Sequence, residues 1–129
     1  MPLVTIDSLP PTDASRVPEM IASIRHFGAR AMNCSEDNIW VIFRPIPSGY
    51  YVQGHAPAIF PQEKSHPPIV IIRAHVGRSR EVKSAFVAAV AKAIGEGLSI
   101  PAENVWIHYL ETQLEDVWFN GHWANGSLI

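Results

Sequence analysis

Cysteine is nearly absent from this chain of 129 residues: Cys34 stands alone. No disulfide framework and no thiolate metal cluster can be built from one cysteine, and a reducing compartment, the cytoplasm, fits that usage best. Charge of one sign is also missing. The net charge is −2 and the charged residues are scattered, not in blocks, so nothing points to nucleic acid. No apolar run approaches the ~18 residues that a membrane span needs. The opening residues lack the basic n-region and long apolar stretch of a signal peptide. The two sequons, at Asn33 and Asn125, therefore read as chance. The six histidines show neither H-E-x-x-H nor another ligand spacing. There is no G-x-S-x-G and no phosphate loop. Neither a metal nor an organic cofactor is expected.

What is abundant is apolar sequence, 47% of the chain, arranged in two copies. Met1-Pro2-Leu3-Val4-Thr5-Ile6 returns as Pro67-Pro68-Ile69-Val70-Ile71-Ile72. The same offset of 66 residues superimposes Asn38-Ile39-Trp40-Val41 on Asn104-Val105-Trp106-Ile107. Residues 2–8 read as a strand ended by Ser8, Pro10 and Pro11. Thr12 or Asp13 caps a helix with Pro18 in its first turns and an apolar face of Val17, Met20, Ile21, Ile24, Gly28 and Met32. Asn33 and Cys34 close it, and 38–43 form a second strand.

The second copy repeats the plan. Strand 68–74 leads through Gly77-Arg78 to Ser79, an N-cap. Val82, Phe86, Val90, Ile94 and Leu98 line the helix, Gly95 and Gly97 fray its end, and strand 104–110 follows Pro101. Segment 45–67 is a proline-rich joint, with Tyr50-Tyr51-Val52 as a short edge strand. The tail, 111–129, shows no period. The expectation is a single domain of class α+β with pseudo-repeats 2–44 and 68–110. Two βαβ units form a four-stranded sheet with both helices on one face, leaving the other face bare and apolar. Such a face is most readily covered by further copies of the chain.

A proline at position 2, a βαβ unit, and Gly77-Arg78-Ser79 ahead of the second helix resemble the tautomerase superfamily. The stretch from Pro68 to Ser79 is similar to a 4-oxalocrotonate tautomerase subunit from its first residue. Two such units in one chain resemble the cis-3-chloroacrylic acid dehalogenases, the malonate semialdehyde decarboxylases and the macrophage migration inhibitory factor group. The resemblance implies a homotrimer whose sheets close into a barrel, with Pro2, freed by removal of Met1, as catalytic base and Arg78 as the substrate-carboxylate residue. Methionine before a small residue such as proline is usually trimmed. His75 falls on one dehalogenase arginine, His108 on its tyrosine and Phe119 on its water-activating glutamate. Asp37 lies next to the position of the decarboxylase's assisting aspartate, with Asn38 competing for it. Trp106 replaces the second arginine of 4-oxalocrotonate tautomerase.

The chemistry reads the same way from the residues. A secondary amine buried beside a cation loses its proton more readily than an exposed one. It can then take a proton from carbon beside a carbonyl. Arg78 would hold a carboxylate and stabilise an enolate. His75 or His108 would donate to the carbonyl oxygen, and Trp118 and Phe119 would exclude water. The leading expectation is keto–enol tautomerisation of small 2-oxo or enol carboxylates. Decarboxylation of a 3-oxo acid such as malonate semialdehyde is the first alternative, and hydration of a cis-3-haloacrylate the second. A trimeric binding protein with a silent proline is the non-enzymatic one. The plain alternative for Pro2 is an ordinary strand-leading proline. For Arg78 it is a solvated residue at a helix start. His75 and His108 are commonly satisfied strand residues, and Asp37 is more simply an exposed turn carboxylate.

Overall fold

A computed structural model describes residues 1–54 and 65–124. Strand β1 (Leu3–Ser8) leads through a one-turn 3-10 segment to helix α1 (Val17–Met32), then to β2 (Trp40–Pro45). Strand β3 (Ile69–His75), helix α2 (Arg80–Leu98) and β4 (Trp106–Thr112) follow. The sheet order is β2-β1-β3-β4, parallel within each β-α-β unit and antiparallel between β1 and β3.

The two units share a frame without gaps. Leu3 pairs with Trp40 and Ile69 with Trp106, each residue lying 66 positions before its counterpart. The Trp40 and Trp106 N–H groups donate to the Pro2 and Pro68 carbonyls, both at 3.0 Å. Both helices end on a left-handed cap, Asn33 (φ 53°) and Ser99 (φ 57°). Thr5 pairs with Ile71, its own counterpart, so a local two-fold axis passes between them.

Both helices cover one sheet face. Val4, Ile6, Ile72, Ile24, Phe86, Val90 and Ile94 are fully buried there. Each side chain contributes roughly 1.5–3 kcal/mol of transfer free energy. The odd-numbered residues of β1 and β3 and the even-numbered ones of β2 and β4 point to the other face, which no described helix covers, although Thr5 is itself buried in the sheet. Trp40, Ile42, Trp106 and Leu110 are 44–58% exposed on its flanks.

Several boundaries differ from the sequence expectation. The second strand of each unit begins two residues later, because Glu36–Asn38 and Ala102–Asn104 form 3-10 turns. Ser35 caps the first of them, accepting a bond from the Asp37 N–H. Asp13 caps the 3-10 turn ahead of α1, with Pro18 at the helix start. Tyr50-Tyr51-Val52 form no strand: the Tyr50 N–H closes a turn onto the Pro47 carbonyl through Gly49 at φ 88°. Residues 55–64 of the joint, and Asn125, lie outside the described residues.

Gly95 and Gly97 do not fray α2, which runs on to Leu98. They are points of close approach. A Cβ on Gly97 would meet Met20 of α1 at 2.5 Å, and one on Gly95 would meet the Ile100 carbonyl oxygen at 2.9 Å. That oxygen belongs to backbone and cannot swing aside. Gly95→Ala is therefore expected to cost about 1–3 kcal/mol in a urea melt, the range for overpacking. A melt matching that of the parent would show the turn at Ile100 to be adjustable.

The tail, aperiodic in sequence, forms a hairpin of β5 (Trp118–Phe119) and β6 (His122–Trp123). Asn120 (φ 51°) and Gly121 (φ 81°) make its two-residue turn, the Asn-Gly signal of tight hairpins.

Candidate active site

The antiparallel pairing of β1 with β3 builds the site. It sets Leu3 opposite Arg73, so the start of β1 lies beside the end of β3. From His75 the chain turns at Gly77, whose φ of 118° suits glycine, and delivers Arg78 ahead of α2. The chain's terminal amine lies there, half-buried. Its pKa is held below the ordinary value of 8.0, first by burial and then by the Arg78 charge; nearby Cys34 acts in the opposite direction. Pro2 is fully buried behind the terminal residue.

The Arg78 guanidinium makes one long bond, from Nη1 to the His75 carbonyl at 3.4 Å. No carboxylate lies within ion-pair distance of it among the described residues. The mouth thus holds a guanidinium beside an amine that disfavours its proton. A cation without a counter-ion is ready for an anionic ligand.

Tyr109, which sequence reasoning missed, completes the group. Its hydroxyl is buried and, among the described residues, makes no well-formed hydrogen bond, although Arg78 is close enough to act on it as a donor. Burial raises its pKa above the ordinary phenol value, with Arg78 opposing and Glu111 adding to the rise. The phenol therefore stays protonated at neutral pH. Tyr109 also lines a cleft of about 500 Å^3 between α2 and β4, with Arg80, Lys83, Ser84, Val87 and Glu111. The signal lay in the repeat, because the counterpart of Tyr109 is Phe43.

The other expected residues are distributed differently. His75 lies on the uncovered face, its Nδ1 3.1 Å from the Val76 carbonyl oxygen. His108 shares that face but pairs with Ile71, about 10 Å along the strands from the level of Pro2. Trp118 stacks edge-on against Trp123 at 5.1 Å, and Phe119 lies beside His122, all within the hairpin. Asp37 is 92% exposed and 3.5 Å from Arg25. Among the described residues no group of three or more His, Cys, Asp or Glu is placed to hold a metal. No described helix is long and apolar enough to cross a membrane.

No protein-family model and no curated protein sequence matches the chain. Solved structures do. A fused 4-OT, described as a wild type asymmetric trimer, matches with a TM-score of 0.85 at 15% identity, covering 97% of this chain and 98% of that one. A member of the cis-3-chloroacrylic acid dehalogenase family matches with a TM-score of 0.74 at 18% identity, over 95% and 82%. Malonate semialdehyde decarboxylase matches with a TM-score of 0.72 at 16% identity, over 98% and 99%. The α+β fold is shared with these proteins over 95–98% of this chain, and it is the fold that the sequence resemblance implies.

Proposed function

We propose that this chain is a cofactor-independent enzyme of the tautomerase superfamily, interconverting keto and enol forms of small 2-oxo carboxylates. The observation that carries the reading is the meeting of the terminal amine with Arg78 at the junction of β1 and β3. Removal of Met1 would move the amine onto the buried Pro2, where burial and Arg78 are expected to act on it in the same direction as on Met1. The neutral amine takes a proton from the carbon beside the carbonyl. The electron pair of that C–H bond becomes the enolate double bond, and the carbonyl pair moves to oxygen. The same proton, or one from water, then returns to oxygen to give the enol. Arg78 grips the carboxylate and steadies the enolate. His75, His108, Trp118 and Phe119 are proposed to join the site through the uncovered face and the hairpin. Asp37, paired with Arg25, has the weakest claim of the residues named.

Malonate semialdehyde decarboxylase shares the fold over nearly the whole chain, which supports decarboxylation as the second reading. There the arginine and amine would steady the enolate left by departing carbon dioxide. The dehalogenase reading lacks its water-activating base, since Phe119 cannot serve. Assembly as a homotrimer is supported by the uncovered apolar face and by the trimeric fused 4-OT structures.

Turnover of phenylpyruvate, 2-hydroxymuconate, malonate semialdehyde and 3-haloacrylates separates these reactions. Turnover of none of them would sink the enzymatic reading and leave a trimeric binding protein. The pH profile adds a sharper check. A base works only when unprotonated, so kcat/KM rises with pH through the amine's pKa. Burial and the Arg78 charge, which lower the pKa of the Met1 amine, are expected to act likewise on the amine of Pro2, so the rising limb is expected below pH 8, the ordinary value for an α-amine. A limb at or above pH 8 would mean that the amine is not the base.

A further inference from the structure

The two units differ around Tyr109, where their shared frame would let them be alike. Tyr109, Lys83, Glu111 and Arg78 in the second unit have Phe43, Val17, Pro45 and Thr12 as counterparts in the first. The apolar neighbours keep their character: Ile107 answers to Val41, and Val87 to Ile21. Phe43 shows that the fold asks only for an aromatic ring at this place. The hydroxyl of Tyr109 is an addition to that requirement; it is buried and, among the described residues, lies near Arg78 without a well-formed hydrogen bond. An unsatisfied buried hydroxyl is destabilising, so packing does not explain it.

Its surroundings do. The Tyr109 ring is held from above by Lys83, whose Nζ lies 5.5 Å from the ring centroid and 3.5 Å from a Glu111 carboxylate oxygen. Tyr109 pairs with Ile72, and Ile72 with Val4, so it stands in the row next to the start of β1. Arg78 is the charged group that reaches both Tyr109 and the terminal amine. We infer that Tyr109 is a positioning residue for Arg78, its hydroxyl oxygen receiving the rear N–H groups of the guanidinium when the front of the fork takes a carboxylate. A phenol has lone pairs to accept with, and a guanidinium can only donate. The guanidinium's present contact, 3.4 Å to the His75 carbonyl, is loose enough to yield to this one.

The inference rests on the reading of Arg78 as the carboxylate grip. It is tested by binding, separately from turnover. Oxalate, a stable stand-in for the enolate of a 2-oxo acid, is titrated calorimetrically into the wild-type chain, Tyr109→Phe, Arg78→Lys and the double variant. Tyr109→Phe is expected to weaken oxalate binding about tenfold while its Tm stays level or rises by a few degrees. Lysine keeps the charge of Arg78 but loses the fork that Tyr109 would hold. The double variant is therefore expected to bind no more weakly than Arg78→Lys alone. Unchanged binding in Tyr109→Phe, independent losses that multiply, a clear fall in Tm, or no oxalate binding by the wild-type chain would each overturn the inference. Oxalate binding that follows this pattern in a chain with no turnover would instead uphold it and sink the enzymatic reading.

Discussion

Holding a residue permanently in front of Pro2 is expected to lower turnover of phenylpyruvate by about 10^2–10^4-fold, the usual contribution of a positioned base. A preceding residue converts the Pro2 nitrogen into a tertiary amide, which has no basic lone pair at neutral pH. The substitution touches little of the fold, since the Pro2 carbonyl still receives the Trp40 N–H and β1 keeps its pairing. Oxalate binding should survive, because Arg78 is untouched. The comparison needs intact-mass measurement of both proteins, to establish that the reference chain begins at Pro2. Equal turnover by the blocked and unblocked chains would remove the proline from the mechanism, whatever the fold.

The second large effect concerns assembly. Trp40 and Trp106 are counterparts on the flanks of the uncovered face, 55% and 58% exposed in the single chain. Covering them in a trimer would bury much of the 150–250 Å^2 that an aromatic side chain can contribute. At ~25 cal/mol per Å^2 that is worth several kcal/mol for each pair, in three copies. Replacing both by glutamate removes that gain and places carboxylates where desolvation is costly. The wild-type chain is expected to sediment at three times its 14.3 kDa mass at micromolar concentration. Trp40→Glu/Trp106→Glu is expected to sediment as a monomer with its helical circular dichroism intact, since the core on the other face is unaltered. A monomeric wild-type chain, or an undisturbed trimer in the variant, would contradict the proposed interface.

The frame was legible in the sequence because it is written twice. One offset fixed four strands and two helices, and the register of the paired strands keeps that offset without a gap. Boundaries were less legible. The run from Asn38 to Phe43 is rich in strand-forming residues, yet Ser35 turns its first residues into a 3-10 segment by capping the Asp37 N–H. The hairpin at 118–123 escaped a search for periodicity because each strand has only two residues, although Asn120-Gly121 announced it. Gly95 and Gly97 looked like a fraying end because glycine at a helix terminus and glycine at a close contact are identical in sequence. Within the candidate site, Pro2 and Arg78 were named from a motif, and the antiparallel pairing brings those positions together. Tyr109 was not named. The repeat sets its hydroxyl against Phe43, but the burial of that hydroxyl next to Arg78 is a property of three-dimensional surroundings.

Joining two units in one polypeptide also changes how many reactive ends an assembly can own. Separate units would each begin with a free nitrogen; here the nitrogen of Pro68 is locked in a peptide bond, and Thr12 occupies the place that answers to Arg78. On the proposed reading, fusion halves the density of working mouths. In exchange it releases the halves from identity: the first unit keeps the beginning of the chain and supplies the base, while the second, with no beginning to protect, is free to specialise in grip.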